Sequence, residues 1–376
     1  MILGVNGIRL CANRSGVARA IEALLHQFVR QPHPFDDIRL YTPAPVEAGV
    51  SLPDGVRHVV VKSVLPPGLW EQAALPMAQG GRGVLFCPSY VGPVFPRCPM
   101  LVAHHGSYEG YAGSANVFSR WSRIKKRVAY HVSAHRADVV TTVSEYSRQD
   151  MSHFYRMPVE RIHVVPEGVD TTLFRPIDDP LALRKFRRRY LGDDVPFLLY
   201  VGKPTRRRNL PNLLRAFAVL RGERRLPHKL LLIGTALPGT SFEALVDSLG
   251  LGGDVISIAH AEHSEIALAY NASSLTLYPS SYEGFGMPVL EAMACGAPVI
   301  AIDNTAFPEF AGGVALLLPD AEVETLASGI RRLIEDDTER ARMRTAGPIR
   351  AKQYDWAIVA RQYLDLLSPL ASGARA

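Results

Sequence analysis

The sequence predicts an α/β protein of two domains, each a parallel sheet covered by helices. Three observations carry this. Short apolar runs alternate with amphipathic helical stretches along almost the whole chain, the pattern of βα units rather than of segregated strands and helices. Many of those runs end in loops holding Gly, Asn or Pro, where a strand hands over to a helix. At 376 residues the chain also exceeds one comfortable core.

Composition narrows the function classes. Hydrophobic residues make up 47% and charged residues 21%, which suits a globular protein and not a disordered one. The apolar run within residues 1–9 is too short for a signal peptide and has no small-residue cleavage site behind it. No stretch approaches the ~18–20 apolar residues of a membrane span. Cys11, Cys87, Cys98 and Cys295 are scattered, without CxxC or Cys/His ligand spacing, so a reduced cytoplasmic protein with no metal site is expected. The net charge of +6 has three readings: an arginine-rich composition, an anionic nucleotide substrate, or an acidic membrane surface. Nucleic acid is not expected, because basic and aromatic residues do not interleave in any recognised motif.

The first half opens with an apolar run at 2–5 that ends in Asn6-Gly7, a strand and its turn. A loop to Arg14 leads to Ser15, suited to cap a helix, and to Gly16. Val17, Ile21, Leu24, Leu25 and Phe28 then recur at helical spacing. Further strands are expected at 38–41, 56–61, 84–87, 100–103 and 139–143, with helices at 69–79, 118–136 and 146–155. The strand at 100–103 runs into His104-His105-Gly106-Ser107, where adjacent side chains point apart and at most one faces a ligand. Residues 119–136 hold Arg120, Arg123, Lys125, Lys126, Arg127 and Arg136 and no acid, with Trp121, Ile124 and Val128 on one helical face. Either that face packs on the protein's own core, or it meets anionic lipid, where each basic residue adds about 1 kcal/mol. A last strand near 162 leaves through Glu167-Gly168-Val169-Asp170. Residues 171–194, with Pro176, Pro180 and a basic run, read as a connection between domains.

The second half starts with a strand at 197–202 and the loop Lys203-Pro-Thr-Arg-Arg-Arg-Asn209. Asn209 is placed to cap the helix marked by Leu213, Leu214, Phe217 and Leu220. Cations beside a helix N-terminus oppose its dipole unless an anion lies between them, so this loop reads as a phosphate site. Strands follow at 230–234 and 254–258, then a helix from Ser264 to Ala272. Next comes a compact βαβ unit: strand 275–278, a turn holding Gly284 and Gly286, a helix from Pro288 stopped by Gly296, and strand 298–302. Glu283 lies in its loop and Glu291 in its otherwise apolar helix, where a carboxylate is costly unless hydrogen-bonded. Glu291 is either an acid set in the first helical turn by the dipole, or it joins Glu283 in facing a hydroxyl-rich ligand. Helices near 322–335, 338–351 and 356–367 complete the chain, with Trp356 a candidate anchor.

The stretch EGFGMPVLE, from Glu283 to Glu291, followed by AMACGAPVIA, resembles the signature of retaining glycosyltransferase family 4 (glycosyl transferases group 1). The resemblance covers nearly the whole chain, with the specific motifs in its C-terminal half. It implies the α/β GT-B fold, two Rossmann-like domains whose parallel sheets face a central cleft. Residues 1–175 would bind the acceptor, 176–355 the nucleotide sugar, and 356–376 would return as a helix to the first domain.

By the same resemblance Lys203 and Arg208 hold the donor diphosphate, lysine replacing the usual arginine and arginine the usual lysine, with Phe285, Gly286 and Met287 beside it. Glu291 grips the ribose and Glu283 the donor sugar. Gly16 lies at the reaction centre, and His105, or else His104, contacts the sugar. The segment Ser144-Glu145-Tyr146-Ser147 lines the cleft. Glu167 stands where the family usually has asparagine, and Glu309 follows the βαβ unit.

The implied activity is transfer of a hexosyl group to a saccharide or lipid-linked saccharide acceptor in surface polysaccharide biosynthesis. GDP-mannose is the first choice of donor and a UDP-sugar the second. The place of work would be the cytoplasm, peripherally on the inner face of the plasma membrane through 119–136. A glycosidase acid/base pair is a poorer reading, since it has no use for Lys203 and Arg208. A nucleotide-sugar epimerase of the same architecture and a catalytically silent subunit are the other rivals.

Overall fold

The computed structural model describes residues 1–11, 16–106, 120–224 and 226–372. Ser15 with the loop before it, Ser107 and Ser119 lie outside these. The chain divides into two units, Met1–Gly168 with Trp356–Ala376, and Val169–Asp355. The first break thus falls before the 175/176 boundary expected from the sequence.

In the first unit β1 (Ile2–Asn6) leads to α1 (Gly16–Phe28), whose buried Ile21, Leu24, Leu25 and Phe28 are the residues that gave its spacing. Next come β2 (Asp37–Thr42), β3 (Val56–Val60), α2 (Pro67–Leu69), α3 (Leu75–Gln79) and β4 (Val84–Cys87). They are followed by β5 (Met100–Ala103), α4 (Arg120–Arg136), β6 (Val139–Thr142), α5 (Glu145–Tyr155) and β7 (Ile162–Val164). All strands pair in parallel in the order β3-β2-β1-β4-β5-β6-β7. The inner strands β4, β5 and β6 are buried at every residue, as parallel strands covered on both faces must be.

The helix expected at 69–79 is interrupted. Pro76 has no N–H to continue the tight ladder, and the chain widens into a π turn over Trp70–Ala74, where the Leu75 N–H reaches the Trp70 carbonyl. That turn holds Glu71 buried against Asn6, whose Nδ2 donates to it at 2.8 Å.

The second unit begins with a correction. The stretch read as a connection folds as α6 (Pro180–Leu191): the Asp179 side chain caps it by accepting from the Ala182 N–H at 3.0 Å, Pro180 enters the first turn, and Gly192 stops it at φ 80°. Then follow β8 (Phe197–Val201), α7 (Leu210–Arg224), β9 (Lys229–Ile233), α8 (Ser241–Ser248), β10 (Val255–Ile258) and α9 (His263–Ala272). After these come β11 (Leu275–Tyr278), α10 (Met287–Ala294), β12 (Val299–Ile302), α11 (Phe307–Ala311), β13 (Leu316–Leu318), α12 (Val323–Glu335) and α13 (Asp337–Ala351). The parallel order is β10-β9-β8-β11-β12-β13.

The last helix, α14 (Trp356–Ala371), belongs to the first unit. Trp356, Val359, Tyr363, Leu364 and Leu367 sit in one core with Leu3, Val5, Ile21, Leu25 and Phe86. The Tyr363 and Phe86 rings are 5.1 Å apart. Gly168 is needed beneath this helix, because a Cβ there would stand 2.4 Å from the Trp356 ring.

Candidate functional site

Each sheet reverses its strand order once, between β1 and β4 in the first unit and between β8 and β11 in the second. Crevices that hold ligands form outside the carboxyl ends of strands at such points. Of the sequence-predicted residues, Gly16 starts the helix after β1 in the first unit, and in the second Lys203 and Arg208 lie in the loop after β8 and Glu283 and Gly286 in the loop after β11.

In the second unit the β8–α7 loop closes with a 3₁₀ turn over Arg206–Arg208 and Asn209 at φ 48°. Asn209 does not cap α7 with its side chain but donates from Nδ2 to the Pro279 carbonyl at 2.9 Å. The Ser281 N–H donates to the Arg207 carbonyl at 2.7 Å, so the β8–α7 and β11–α10 loops are stitched together.

Their meeting point is Glu283. Its Oε2 pairs with Arg207 Nη1, while Oε1 accepts from Tyr278 Oη and Ser280 Oγ at 3.0 Å each and from Arg208 Nε at 3.3 Å. The Arg208 guanidinium lies 5.3 Å from the centre of the Tyr278 ring. Burial pushes the Glu283 carboxyl up, but the Arg208 and Arg207 charges outweigh it and hold it below the usual carboxylate range. Burial opposes the charge on Arg208 as well, yet Tyr278 and Glu283 raise its pKa. The arrangement is a largely buried, ionised cluster in which the carboxylate fixes two guanidinium groups. Lys203, six residues before Asn209, is exposed, and its carbonyl accepts from Arg208 Nη1 at 3.4 Å and from the Tyr200 hydroxyl at 3.3 Å.

At the start of α10, Gly286 has φ 111°, and a Cβ on it would meet the Phe307 ring at 2.5 Å. Met287 is the first helical residue and Pro288 the second. The Phe285 side chain turns into the core and stacks on Phe310 at 4.6 Å, so only its backbone is left to meet a ligand. Glu291 is the fifth residue of α10, beyond the first turn, which removes the reading of a first-turn acid. It is buried and accepts from the Tyr270 hydroxyl of α9 at 3.3 Å. Glu309 is exposed on α11.

In the first unit Gly16 is the first residue of α1. His105 lies largely buried, with Nδ1 2.5 Å from Glu167 Oε1 and Nε2 2.7 Å from the Pro88 carbonyl oxygen. Both neighbours accept, so only the imidazolium satisfies both. Burial works against that charge, but Glu167 more than compensates and raises the pKa. His104 differs in every respect. It is fully buried among Tyr90, Tyr130 and Tyr155, and neither ring nitrogen has a partner among the described residues. Burial, with the neighbouring His105 charge, pushes it down to about 3, so it stays neutral. Tyr90 carries a left-handed φ of 68° beside both rings. Ser144 caps α5 by accepting from the Ser147 N–H at 3.1 Å, a structural duty.

Three partners were not singled out in the sequence: Arg207, Glu167 as the partner of His105, and the Asn6–Glu71 pair. Glu71 is driven to about 7 by burial, only partly offset by Asn6. Among the described residues no group of three or more His, Cys, Asp or Glu is arranged to hold a metal ion.

Residues 14–173 match the family model described as Glycosyltransferase Family 4, and residues 184–350 match that of Glycosyl transferases group 1. The chain belongs to this glycosyltransferase family. The O-antigen chain mannosyltransferase B of Escherichia coli is 29% identical to this family member over 242 residues, covering 62% of each chain. The MMP alpha-(1->4)-mannosyltransferase of Mycolicibacterium hassiacum is 32% identical over 246 residues, covering 64% of this chain and 54% of the relative. The match thus spans less than two thirds of either relative's length.

Likeness of fold extends further. Sucrose-phosphate synthase from Thermosynechococcus elongatus superposes with a TM-score of 0.76 at 21% identity, covering 99% of both chains. Anabaena HepE, solved in complex with UDP and glucose, gives 0.76 at 19% identity over 98% of this glycosyltransferase and 99% of HepE. The fold is GT-B.

Proposed function

We propose that the protein is a retaining hexosyltransferase that moves mannose from GDP-mannose to a saccharide or lipid-linked saccharide acceptor during surface polysaccharide biosynthesis. It would work in the cytoplasm at the inner face of the plasma membrane. The observation that carries this is the pair Arg207 and Arg208, locked on Glu283 at the switch point of the second sheet, next to the N-terminus of α10. Fixed cations beside backbone N–H groups are what a diphosphate leaving group needs. The names of the two relatives, both mannosyltransferases, support mannose as the sugar.

In this reading Arg207 and Arg208 on Glu283, joined by Lys203 and the N–H groups of Gly286 and Met287, hold the diphosphate. Glu291 accepts from ribose hydroxyls. Glu283 acts first by fixing the two arginines, since its oxygens already accept from them and from Tyr278 and Ser280. The bond from the anomeric carbon to the phosphate oxygen breaks, the acceptor oxygen takes its place on the same face, and the acceptor's proton passes to the leaving phosphate. Cationic side chains and the helix terminus carry the charge, so chelation with EDTA should leave the rate unchanged. Arg208→Ala and Lys203→Ala should each lower turnover about a hundredfold, measured as transfer of labelled sugar. Near-normal transfer in both would overturn the diphosphate assignment. A thermal-shift panel fixes the base, because a nucleotide at 100 times its Kd adds about 2.7 kcal/mol. Stabilisation by UDP and not by GDP would replace GDP-mannose with a UDP-sugar.

A further inference from the structure

Three consecutive residues of the π turn between α2 and α3 are each tied to a different part of the first unit. The Trp70 indole N–H donates to the Val61 carbonyl, just past β3, at 2.8 Å. Gln72 donates from Nε2 to the Gly92 carbonyl at 3.2 Å and accepts from the Val94 N–H at 2.8 Å. Between them Glu71 is set into the end of the sheet, 8% exposed, where its Oε1 accepts from Asn6 Nδ2. The Asn6 Oδ1 already accepts from the Ile8 N–H at 3.2 Å, which leaves the amide donor turned to Glu71. The second Glu71 oxygen has no partner among the described residues and is not sealed in. Burying a carboxyl with one oxygen idle lowers the stability of the unit. A π turn is also the kind of irregularity that collects at functional sites.

Asn6 closes β1, whose neighbour β4 ends at Cys87, so the carboxyl lies where the first sheet reverses its strand order. Arg9, three residues after Asn6, is exposed and has no ion-pair or hydrogen-bond partner among the described residues. Its charge bears on the Glu71 carboxyl and the His105 imidazole alike, so the guanidinium stands near both. We propose that Glu71, aimed by Asn6, and Arg9 read two adjacent hydroxyls of a neutral acceptor sugar, and so set which acceptor this chain takes. The inference rests on the transferase reading above and adds to it the residues and the kind of sugar. The open Glu71 oxygen accepts from one hydroxyl, and the Arg9 guanidinium donates to the oxygen of the next. Carboxylate and guanidinium offset each other, so an anionic sugar gains nothing over a neutral one. A purely structural duty would be met as well by glutamine, which keeps the bond from Asn6 and has no charge to bury.

Saturation-transfer difference NMR on the full chain tests this, with the methyl glycosides of mannose, glucose and galactose as probes and methyl glucuronide as the anionic control. At least one neutral glycoside should bind, and Glu71→Gln and Arg9→Gln should each weaken it about tenfold with the thermal unfolding midpoint in place. Should Glu71→Gln melt lower, Arg9→Gln decides, because that side chain is exposed and unpartnered. A variant that binds the glycoside like the parent would overturn the proposal, and so would methyl glucuronide binding more tightly than every neutral glycoside. The rise in midpoint with GDP or UDP reads the second unit separately. If neither nucleotide raises it, the transferase reading fails and the inference with it; if one does and no neutral glycoside binds, the inference alone fails.

Discussion

His105 sits between two acceptors, the Glu167 carboxylate and the Pro88 carbonyl, and is thereby held as a cation. Its folded pKa is raised, so the pair contributes its full stability below the unfolded imidazole value of ~6.5 and loses it as pH climbs through the folded value. Glu167→Gln should therefore destabilise the first unit by about 2 kcal/mol near pH ~6, with the gap to the parent closing as pH rises. Melting curves from pH ~6 to ~9 check this, and a gap constant across that range would show the pair to be uncharged. At this scale the sequence showed the residue types but not their pairings. His104 and His105 are neighbours in the chain, yet one lies in an aromatic box and the other in an ion pair. Likewise Arg206, Arg207 and Arg208 read alike in a row; only the 3₁₀ turn, with Asn209 left-handed, brings two of them onto Glu283.

Among the elements, α10 depends on the glycine that starts it. Gly286→Ala would combine a left-handed backbone, costing about 1–2 kcal/mol, with a clash against Phe307 worth about 1–3 kcal/mol. The second unit should lose that stability, and nucleotide affinity should fall with it, since the N–H groups of the first turn would be displaced; calorimetry with and without nucleotide reads both. The βαβ unit around this helix was legible because apolar strands, Gly and Pro mark its corners. Among the elements that were not are α6, α8, α11 and β13. The helix α6 is so rich in arginine that its buried residues, Phe186 and Leu191, are outnumbered, although its signals at Asp179, Pro180 and Gly192 were present. The strand β13 is three residues long and edges the sheet beside β12, too short to show a period.

For the molecule as a whole, the chain passes twice between units, after Gly168 and after Asp355. The helix α14 is therefore core to a unit whose other residues end before Val169. Leu364→Ala should cost about 2–5 kcal/mol, lost from the first unit. Amide hydrogen exchange should rise in β1, β4 and α1 while β8 and β11 keep their protection; equal loss in both units would mean that α14 stabilises the two alike. The apolar stripe of α4 belongs to this scale too. Helical periodicity identified the face, but whether it looked inward or outward depended on which side of α4 met the sheet.

The sequence by itself determined the alternation of strands and helices, the βαβ unit at 275–302 and the family, because these follow from local apolar periodicity, from Gly and Pro, and from residues at fixed short spacing. Tertiary structure alone decided that Arg207 and Arg208 share Glu283, that Glu167 pairs with His105, and that Trp121 faces outward. Each of those depends on groups far apart in the chain meeting in a medium of low dielectric, or failing to meet at all. No local pattern of residues encodes such a meeting.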